Sequence, residues 1–386
     1  MPKKIALLGS TGSIGQNALE VVTTYSDEFR VVLLTCRQGI DQLMHQVERF
    51  RPQWVAIGKN VLSTEQMAAL RNLGVRIAEG IDEMRGVLKE IDYDLAVNAV
   101  MGSVGLLPTL DVLDRGIDVA LANKETLVMA GRLVMNLAKE HGAVIWPIDS
   151  EHSAIYQCLR GENAGSIARI ILTASGGPFR VNTGLDLSSV SVGEVLNHPT
   201  WEMGPKITVD SATLINKALE VIEAHFLFDV PAKDIDVWIH PQSIIHSMVE
   251  FVDGSIKAQL GTPDMKLPIL YALTGGQRYH ADFLHTDLCQ IGRLEFEKPD
   301  YDRFPCLNLA YQVLETGGTA PAVLSSADEE AVNLFLQGKI PFTGIYDLIS
   351  TVLNEHQIVA DPEIDDILQA DQWARSRARQ IAEVGV

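Results

Sequence analysis

Short apolar runs alternate with longer amphipathic stretches along the first part of the chain. The runs are Lys4–Leu8, Phe29–Thr35, Trp54–Ile57, Val75–Ala78, Leu95–Ala99, Val119–Leu121 and Val144–Ile148. Each has the length of a strand covered on both faces, and the stretches between them carry helical spacing. This alternation predicts an α/β domain over residues 1–148 built on a Rossmann-like, doubly wound parallel sheet. Further on, Ile170–Thr173, Val237–His240, Ile244–Phe251 and Ile256–Leu260 run apolar or alternate, with a turn at Asp253-Gly254. They predict a second, largely antiparallel sheet in an α+β domain over 149–274. Periodicity fades over 275–299, read as a linker. Cys306–Glu315, Ser326–Gln337, Gly344–Leu353 and Ile364–Ile381 then repeat apolar residues three and four apart and predict a C-terminal four-helix domain over 300–386.

One stretch breaks both patterns. Residues 197–207 hold His198, Pro199, Trp201, Met203, Gly204 and Pro205 without periodicity, which predicts a loop. A loop that carries His, Trp and Met has the character of a lid over a bound molecule. After it, Asp210 and Ser211 read as N-cap residues of a helix whose apolar positions include Leu214, Ile222 and Phe226. Thr213, Asn216, Lys217, Glu220 and Glu223 line its other side. The start of that helix, the Ser211 hydroxyl and the Lys217 ammonium suit an anion, and Glu220 one turn on suits a cation beside it. The competing reading is a solvated helix face with Lys217 and Glu220 as a surface ion pair.

Composition narrows the choice. The formal charge is −19, which excludes nonspecific binding to nucleic acid or to anionic membranes and leaves an anionic ligand dependent on a local basic site. A hydrophobic fraction of 47 % with 21 % charged residues is that of a folded enzyme. Cys36, Cys158, Cys289 and Cys306 show no CxxC spacing, so neither a zinc cluster nor a disulfide framework is indicated. No signal peptide and no apolar run of membrane-spanning length is found, and a cytoplasmic location is expected.

Candidate chemistry sits at strand ends. Gly9-Ser10-Thr11-Gly12-Ser13-Ile14-Gly15 follows the first strand and leads into helical spacing from Gln16, with Gly12 and Gly15 supplying a tight turn and a close helix–strand approach. After the second strand stands Arg37-Gln38-Gly39, with no acidic residue for a ribose 2′-hydroxyl. Arg37 suits a 2′-phosphate, hence NADP over NAD; a solvated loop arginine is the alternative. Asn98–Ser103 leaves its strand with small residues fit for a cofactor, and Asn123-Lys124-Glu125 follows the next. That triplet reads either as site chemistry or as a capping Asn with a first-turn Glu. Asp149-Ser150-Glu151-His152 places two carboxylates two residues apart, on one side of an extended segment, where a divalent cation relieves their repulsion. With Glu220 they make three oxygen donors for Mg²⁺ or Mn²⁺; a cap-rich turn is the alternative. Ser175-Gly176-Gly177 forms a second small anion cradle. His240 and His246 have no partner at ligand spacing and read as structural or interface histidines.

Taken together, the strings GSTGSIG (Gly9–Gly15), LANKE (Leu121–Glu125), PIDSEH (Pro147–His152), SGGPFR (Ser175–Arg180), VDSATLINKALE (Val209–Glu220) and HPQSIIHSM (His240–Met248) resemble those of the 1-deoxy-D-xylulose 5-phosphate reductoisomerase family, in order and over essentially the whole length. The resemblance implies a V-shaped homodimer whose protomer has an NADPH-binding domain, a catalytic domain and a helical domain. It implies a metal-dependent rearrangement of 1-deoxy-D-xylulose 5-phosphate, by retro-aldol/aldol or α-ketol migration. Reduction by NADPH then gives 2-C-methyl-D-erythritol 4-phosphate, in the mevalonate-independent route to isoprenoid precursors. Asp149, Glu151 and Glu220 would hold the metal. Ser175, Ser211, Asn216 and Lys217 would hold the phosphate, with His198 and Trp201 in the lid. Lys124, Ser150 and Glu151 would meet the substrate backbone, and Gly9, Ser10, Thr11, Gly12, Ser13, Ile14, Asn123, Glu125 and Gly204 would touch NADPH. The family commonly has Gly-Lys-Asn where this chain has Arg37-Gln38-Gly39, so the cation has moved one position. A metal-independent NADP-dependent dehydrogenase and a non-catalytic acidic scaffold are the readings that this one must beat.

Overall fold

The apolar runs of the first part of the chain form seven parallel strands. In the computed structural model, which describes residues 1–182, 184–197 and 203–384, these are β1 (Lys3–Leu8), β2 (Phe29–Cys36), β3 (Trp54–Ile57), β4 (Arg76–Glu79), β5 (Leu95–Asn98), β6 (Asp118–Leu121) and β7 (Ile145–Pro147). Their order is β4-β3-β2-β1-β5-β6-β7, with every neighbour parallel. Leu7, Leu8, Leu33, Leu34 and Leu95 are fully buried, which explains why these strands read as continuous apolar runs. Strand order reverses between β1 and β5, where Leu8 pairs with Asn98. A doubly wound sheet opens its ligand crevice at the carboxyl ends of those two strands.

Contacts gather Met1–Asn123, Val134–Ser153 and Asp264–Ala281 into one compact unit around this sheet. The helix Lys266–Leu273 is tied there by Lys3 Nζ, which donates to Leu273 O at 3.1 Å, and by Lys266 with Glu20 at 3.3 Å. The second unit comprises Lys124–Leu133, Ala154–Pro263 and Asp282–Val386. Its sheet holds β8 (Ile167–Ala174), β9 (Ile235–Ile239), β10 (Ile245–Phe251) and β11 (Ile256–Leu260) in the order β11-β10-β8-β9. It is antiparallel except where β8 meets β9. The helices Asn308–Thr316, Ala320–Leu336, Gly344–Glu355 and Ile364–Val384 supply the four expected at the C-terminal end. They share one apolar core with the sheet, running from Ile170 and Leu172 through Val209, Leu219 and Ile222 to Leu324, Leu348 and Ala374. Within 275–299 the chain forms a short helix, Leu288–Ile291, and a bridge from Glu297 to Ile239.

Two local expectations are corrected. Asp210 and Ser211 are not N-caps: the helix starts at Pro205, with Gly204 as its cap, because proline at the first helical position needs no hydrogen-bonded N–H. That helix ends at Thr213, and Leu214 takes a left-handed conformation (φ 60°) before a second helix, Ile215–Phe228. Likewise the segment after β7 is not extended. Asp149 precedes the helix Ser150–Leu159 and Glu151 lies in its first turn, with Ser153 N donating to Asp149 O at 2.8 Å. Among the described residues no helix is long and apolar enough to cross a membrane.

Candidate active site

In the first unit the glycine loop leaves β1 at the switch point. Gly9 has φ +83°, and a Cβ there would sit 2.6 Å from Ala99 O. A Cβ on Gly15 would meet Gly9 O at 2.2 Å, so the helix Ser13–Thr24 packs on the loop only because Gly15 has no side chain. Gly12, expected at the tight turn, is extended (φ −75°) and caps the helix, and a Cβ there would make only an ordinary contact 3.5 Å from Gly9 O; Gly9 is the residue that turns. Thr35 fixes the loop: its Oγ1 accepts from Gly9 N at 3.0 Å and its carbonyl from Ser10 N at 2.8 Å. Gln46 Nε2 donates to Ser10 O at 2.8 Å, and Thr11 Oγ1 donates to Gln38 O at 3.0 Å. The Arg37-Gln38-Gly39 loop is thereby tied beside the glycine loop, with Arg37 and Gln38 exposed. Thr11 and Ile14 are half-buried, Ser13 exposed and the Ser10 side chain buried, so Ser10 can offer a ligand its backbone only.

Across the crevice, Asn123 Nδ2 donates to Val100 O at 3.1 Å and Gly102 O at 2.9 Å. Asn98 Nδ2 donates to Gly105 O at 3.0 Å and to Thr109 Oγ1 at 2.7 Å. Residues 99–105 are thus held at the carboxyl edge, leaving Met101 and Val104 exposed. Thr35, Gln46 and Thr109 carry no sequence signal of this role: Thr35 and Thr109 are polar residues in largely apolar elements, and Gln46 is one polar residue among many on its helix. At the end of β7 the carboxylates of Asp149 and Glu151 come within 4.8 Å of one another, and Ser150 Oγ donates to Glu151 Oε2. Two hard oxygen donors that converge in this way fit a divalent cation.

The second unit assembles the cations. Lys124 opens the helix Lys124–His141 next to Glu125, which is buried. Its Nζ donates to Asn216 Oδ1 at 2.7 Å and to Glu220 Oε1 at 3.3 Å. Asn216 Nδ2 donates to Glu220 Oε1, and Lys217 Nζ to Glu220 Oε2, each at 2.5 Å. Lys124, Lys217 and Glu220 are 7, 4 and 1 % exposed, so the competing reading of Lys217 and Glu220 as a surface ion pair on a solvated face does not hold. Two ammonium groups meet on one carboxylate in a region poor in water, where their charge-assisted N–H donors suit an anion. Asn216 and Lys217 lie in the first turn after Leu214, so the helix start offered to an anion is that of Ile215–Phe228.

The Ser175-Gly176-Gly177 cradle faces the preceding helix. A Cβ on Gly177 (φ +68°) would lie 2.9 Å from Ser211 O, a spacing that brings Ser175 and Ser211 into one neighbourhood. Gly204, expected against the cofactor, caps the helix Pro205–Thr213. His198 and Trp201 lie outside the described residues. His246 Nε2 bonds Gly261 O at 3.1 Å and His240 Nδ1 bonds Glu295 O at 2.8 Å, as structural histidines do. Burial pushes His246 down to about 4, so it stays neutral.

A dinucleotide crevice in one unit and a buried cation cluster in the other define a dinucleotide-dependent enzyme of an anionic substrate. Comparison with known proteins narrows this class. Residues 5–131 match the family model of 1-deoxy-D-xylulose 5-phosphate reductoisomerase, 145–228 match that of its C-terminal domain, and 260–377 that of a DXP reductoisomerase C-terminal domain. The chain is 48 % identical over 379 residues to the 1-deoxy-D-xylulose 5-phosphate reductoisomerase of Geotalea uraniireducens (98 % of each chain). It is 50 % identical over 380 residues to that of Geobacter metallireducens (98 % of this chain, 99 % of the relative). Among solved structures, a DOX-P reductoisomerase in complex with NADPH, fosmidomycin and magnesium matches with a TM-score of 0.94 at 38 % identity (99 % of this chain, 98 % of that one). The Zymomonas mobilis 1-deoxy-D-xylulose 5-phosphate reductoisomerase in complex with NADPH matches at 0.92 and 38 % (99 % and 100 %). The chain belongs to the 1-deoxy-D-xylulose 5-phosphate reductoisomerase family.

Proposed function

We propose that this chain converts 1-deoxy-D-xylulose 5-phosphate into 2-C-methyl-D-erythritol 4-phosphate with NADPH and Mg²⁺ or Mn²⁺, in the mevalonate-independent route to isoprenoid precursors. The observation that carries the reading is Lys124 and Lys217, two buried ammonium groups gathered around Glu220, whose charge-assisted donors suit a phosphorylated substrate. Family membership over nearly the whole chain supports it.

Ser175, Ser211, Asn216 and Lys217 bind the phosphate in this reading, far enough from the reacting carbons to orient the substrate without taking part in bond making. Lys124 keeps an ammonium proton for an oxygen on which negative charge develops. Asp149, Glu151 and Glu220 would hold the cation, which supplies Lewis-acid polarisation of the ketone and neighbouring hydroxyl. Ser150 donates to Glu151 and so orients one of these ligands. His198 and Trp201, in the segment 197–207, cover the substrate and exclude water. Gly9, Ser10, Thr11, Gly12, Ser13, Ile14, Asn123, Glu125 and Gly204 contact NADPH, the hydride donor, and Arg37, Gln38 and Gly39 receive its 2′-phosphate end. The skeletal shift, by retro-aldol/aldol or α-ketol migration, precedes reduction.

A cytoplasmic homodimer completes the reading. One face of the second sheet carries Ile171, Ile245 and Met248 under only partly buried Trp238, Ala258, Leu260 and Leu294, an apolar surface that a second copy would cover. The net charge of −19 speaks against nucleic acid and anionic membranes as partners. Carbon-13 NMR of the product tests the chemistry. A branched C-methyl tetritol phosphate is expected; an unbranched reduced pentulose phosphate would mean reduction without rearrangement.

A further inference from the structure

A second group of charges lies wholly inside the second unit. The helix Pro205–Thr213 presents Lys206 and Asp210 one turn apart, and the helix Ala320–Leu336 presents Asp328. Lys206 Nζ donates to Asp210 Oδ2 and, at 2.7 Å, to Asp328 Oδ2. Asp210 is 2 % exposed and Asp328 fully buried, and the other oxygen of each carboxyl is buried with no protein donor. Two ionised carboxylates on one ammonium would bury a net negative charge, which a dry interior disfavours; one proton shared by the two acids removes it.

We propose that Asp210 and Asp328 share one proton at neutral pH and, with Lys206, form a clasp that positions Ser211 for the substrate phosphate. The inference rests on the reading of Ser211 given above. Ser211 follows Asp210 on the same helix, and its carbonyl sits against Gly177, so a shift of this helix disturbs both phosphate cradles. Burial first, and the Asp328 charge next, push Asp210 up to about 8 against the pull of Lys206; burial raises Asp328 too. Burial works to lower Lys206, but the two carboxyls outweigh it and hold the ammonium above its ordinary value. The surrounding groups add negative charge or are already answered. Glu125 faces the pair, the Cys306 thiol is raised by burial and by both acids, and Glu329 pairs with Arg375 at 2.7 Å. An acid raised from 3.8 to about 8 stabilises the fold fully below the lower value and loses that contribution as pH climbs through the upper one, so the clasp loosens above about pH 8.

The test compares the wild-type chain with Asp328→Asn between pH 7 and 9, under NADPH and saturating Mg²⁺. If only the protonated clasp holds Ser211 in place, the wild-type KM for 1-deoxy-D-xylulose 5-phosphate rises about tenfold across this range, while KM for NADPH stays level. Asp328→Asn leaves one carboxylate against one ammonium, and its substrate KM stays within about twofold. In thermal unfolding over the same range, the wild type loses stability relative to the variant as pH rises. Equal KM profiles with a constant difference in Tm overturn the proposal. Ser211→Ala, run alongside, raises substrate KM at every pH; if it does not, the role of Ser211 fails while the unfolding series still decides whether the proton is held. Should Asp328→Asn not fold, Asp210→Asn removes the other carboxyl and is read in the same way.

Discussion

Replacing Lys217 by Met removes a buried charge and keeps the length of the side chain. Two effects separate. Within the protein, Glu220 loses the ammonium at 2.5 Å but keeps Asn216 at 2.5 Å and Lys124 at 3.3 Å. The cost therefore falls below the roughly 3–5 kcal/mol of a buried charge left without a partner. About 1–2 kcal/mol of stability is expected to go. At the ligand, one charge-assisted hydrogen bond to phosphate disappears, about 1.5–3 kcal/mol. That corresponds to a rise of about tenfold to 150-fold in KM for 1-deoxy-D-xylulose 5-phosphate. Steady-state NADPH oxidation reads it directly: substrate KM rises, KM for NADPH holds, and kcat falls less than KM rises. Lys217→Arg, which keeps the charge, recovers part of the loss. An unchanged substrate KM with kcat lost would refute the phosphate role and place Lys217 at the reacting carbons, through Glu220.

The remaining predictions follow from single contacts. Gly15→Ala puts a methyl 2.2 Å from Gly9 O and weakens NADPH binding by about tenfold or more; an unchanged fluorescence titration with the nucleotide would contradict the close approach. Asp149→Asn raises the Mg²⁺ concentration for half-maximal activity at least about tenfold, the lower bound even for groups that only support ligands. A metal titration that superimposes on wild type would remove Asp149 from the ligand set. His246 is held neutral, down from 6.5 to about 4, so stability present above about pH 6.5 is lost as pH falls toward 4, by about 3 kcal/mol in all. His246→Asn should flatten that part of the curve of unfolding free energy against pH.

Strand positions were legible because parallel strands covered on both faces are apolar throughout, as Leu7, Leu8, Leu33 and Leu34 show. The glycine loop was legible because its conformation demands glycine, although which glycine turns was not: Gly9 and Gly12 look alike until Ala99 is placed against Gly9. The helix around Ser211 was misjudged for a local reason. Asp210 and Ser211 are strong capping types, yet Gly204 and Pro205 start the helix earlier, and no residue-type signal announces the left-handed Leu214. Long-range partners carried no signal at all. Lys206 meets Asp328 122 residues away, and Lys266–Leu273, which follows the strands of the second sheet in sequence, belongs to the first unit. The Lys217–Glu220 pair was legible as a pair, but whether it was buried depended on Lys124, 96 residues from Glu220.

The central claim is a metal-dependent rearrangement coupled to reduction by NADPH. It is tested most directly by following NADPH absorbance with 1-deoxy-D-xylulose 5-phosphate, first with EDTA and then with added Mg²⁺ or Mn²⁺. The account predicts no oxidation in EDTA and full oxidation once either ion is restored. Oxidation that proceeds in EDTA would contradict it and leave a metal-independent dehydrogenase.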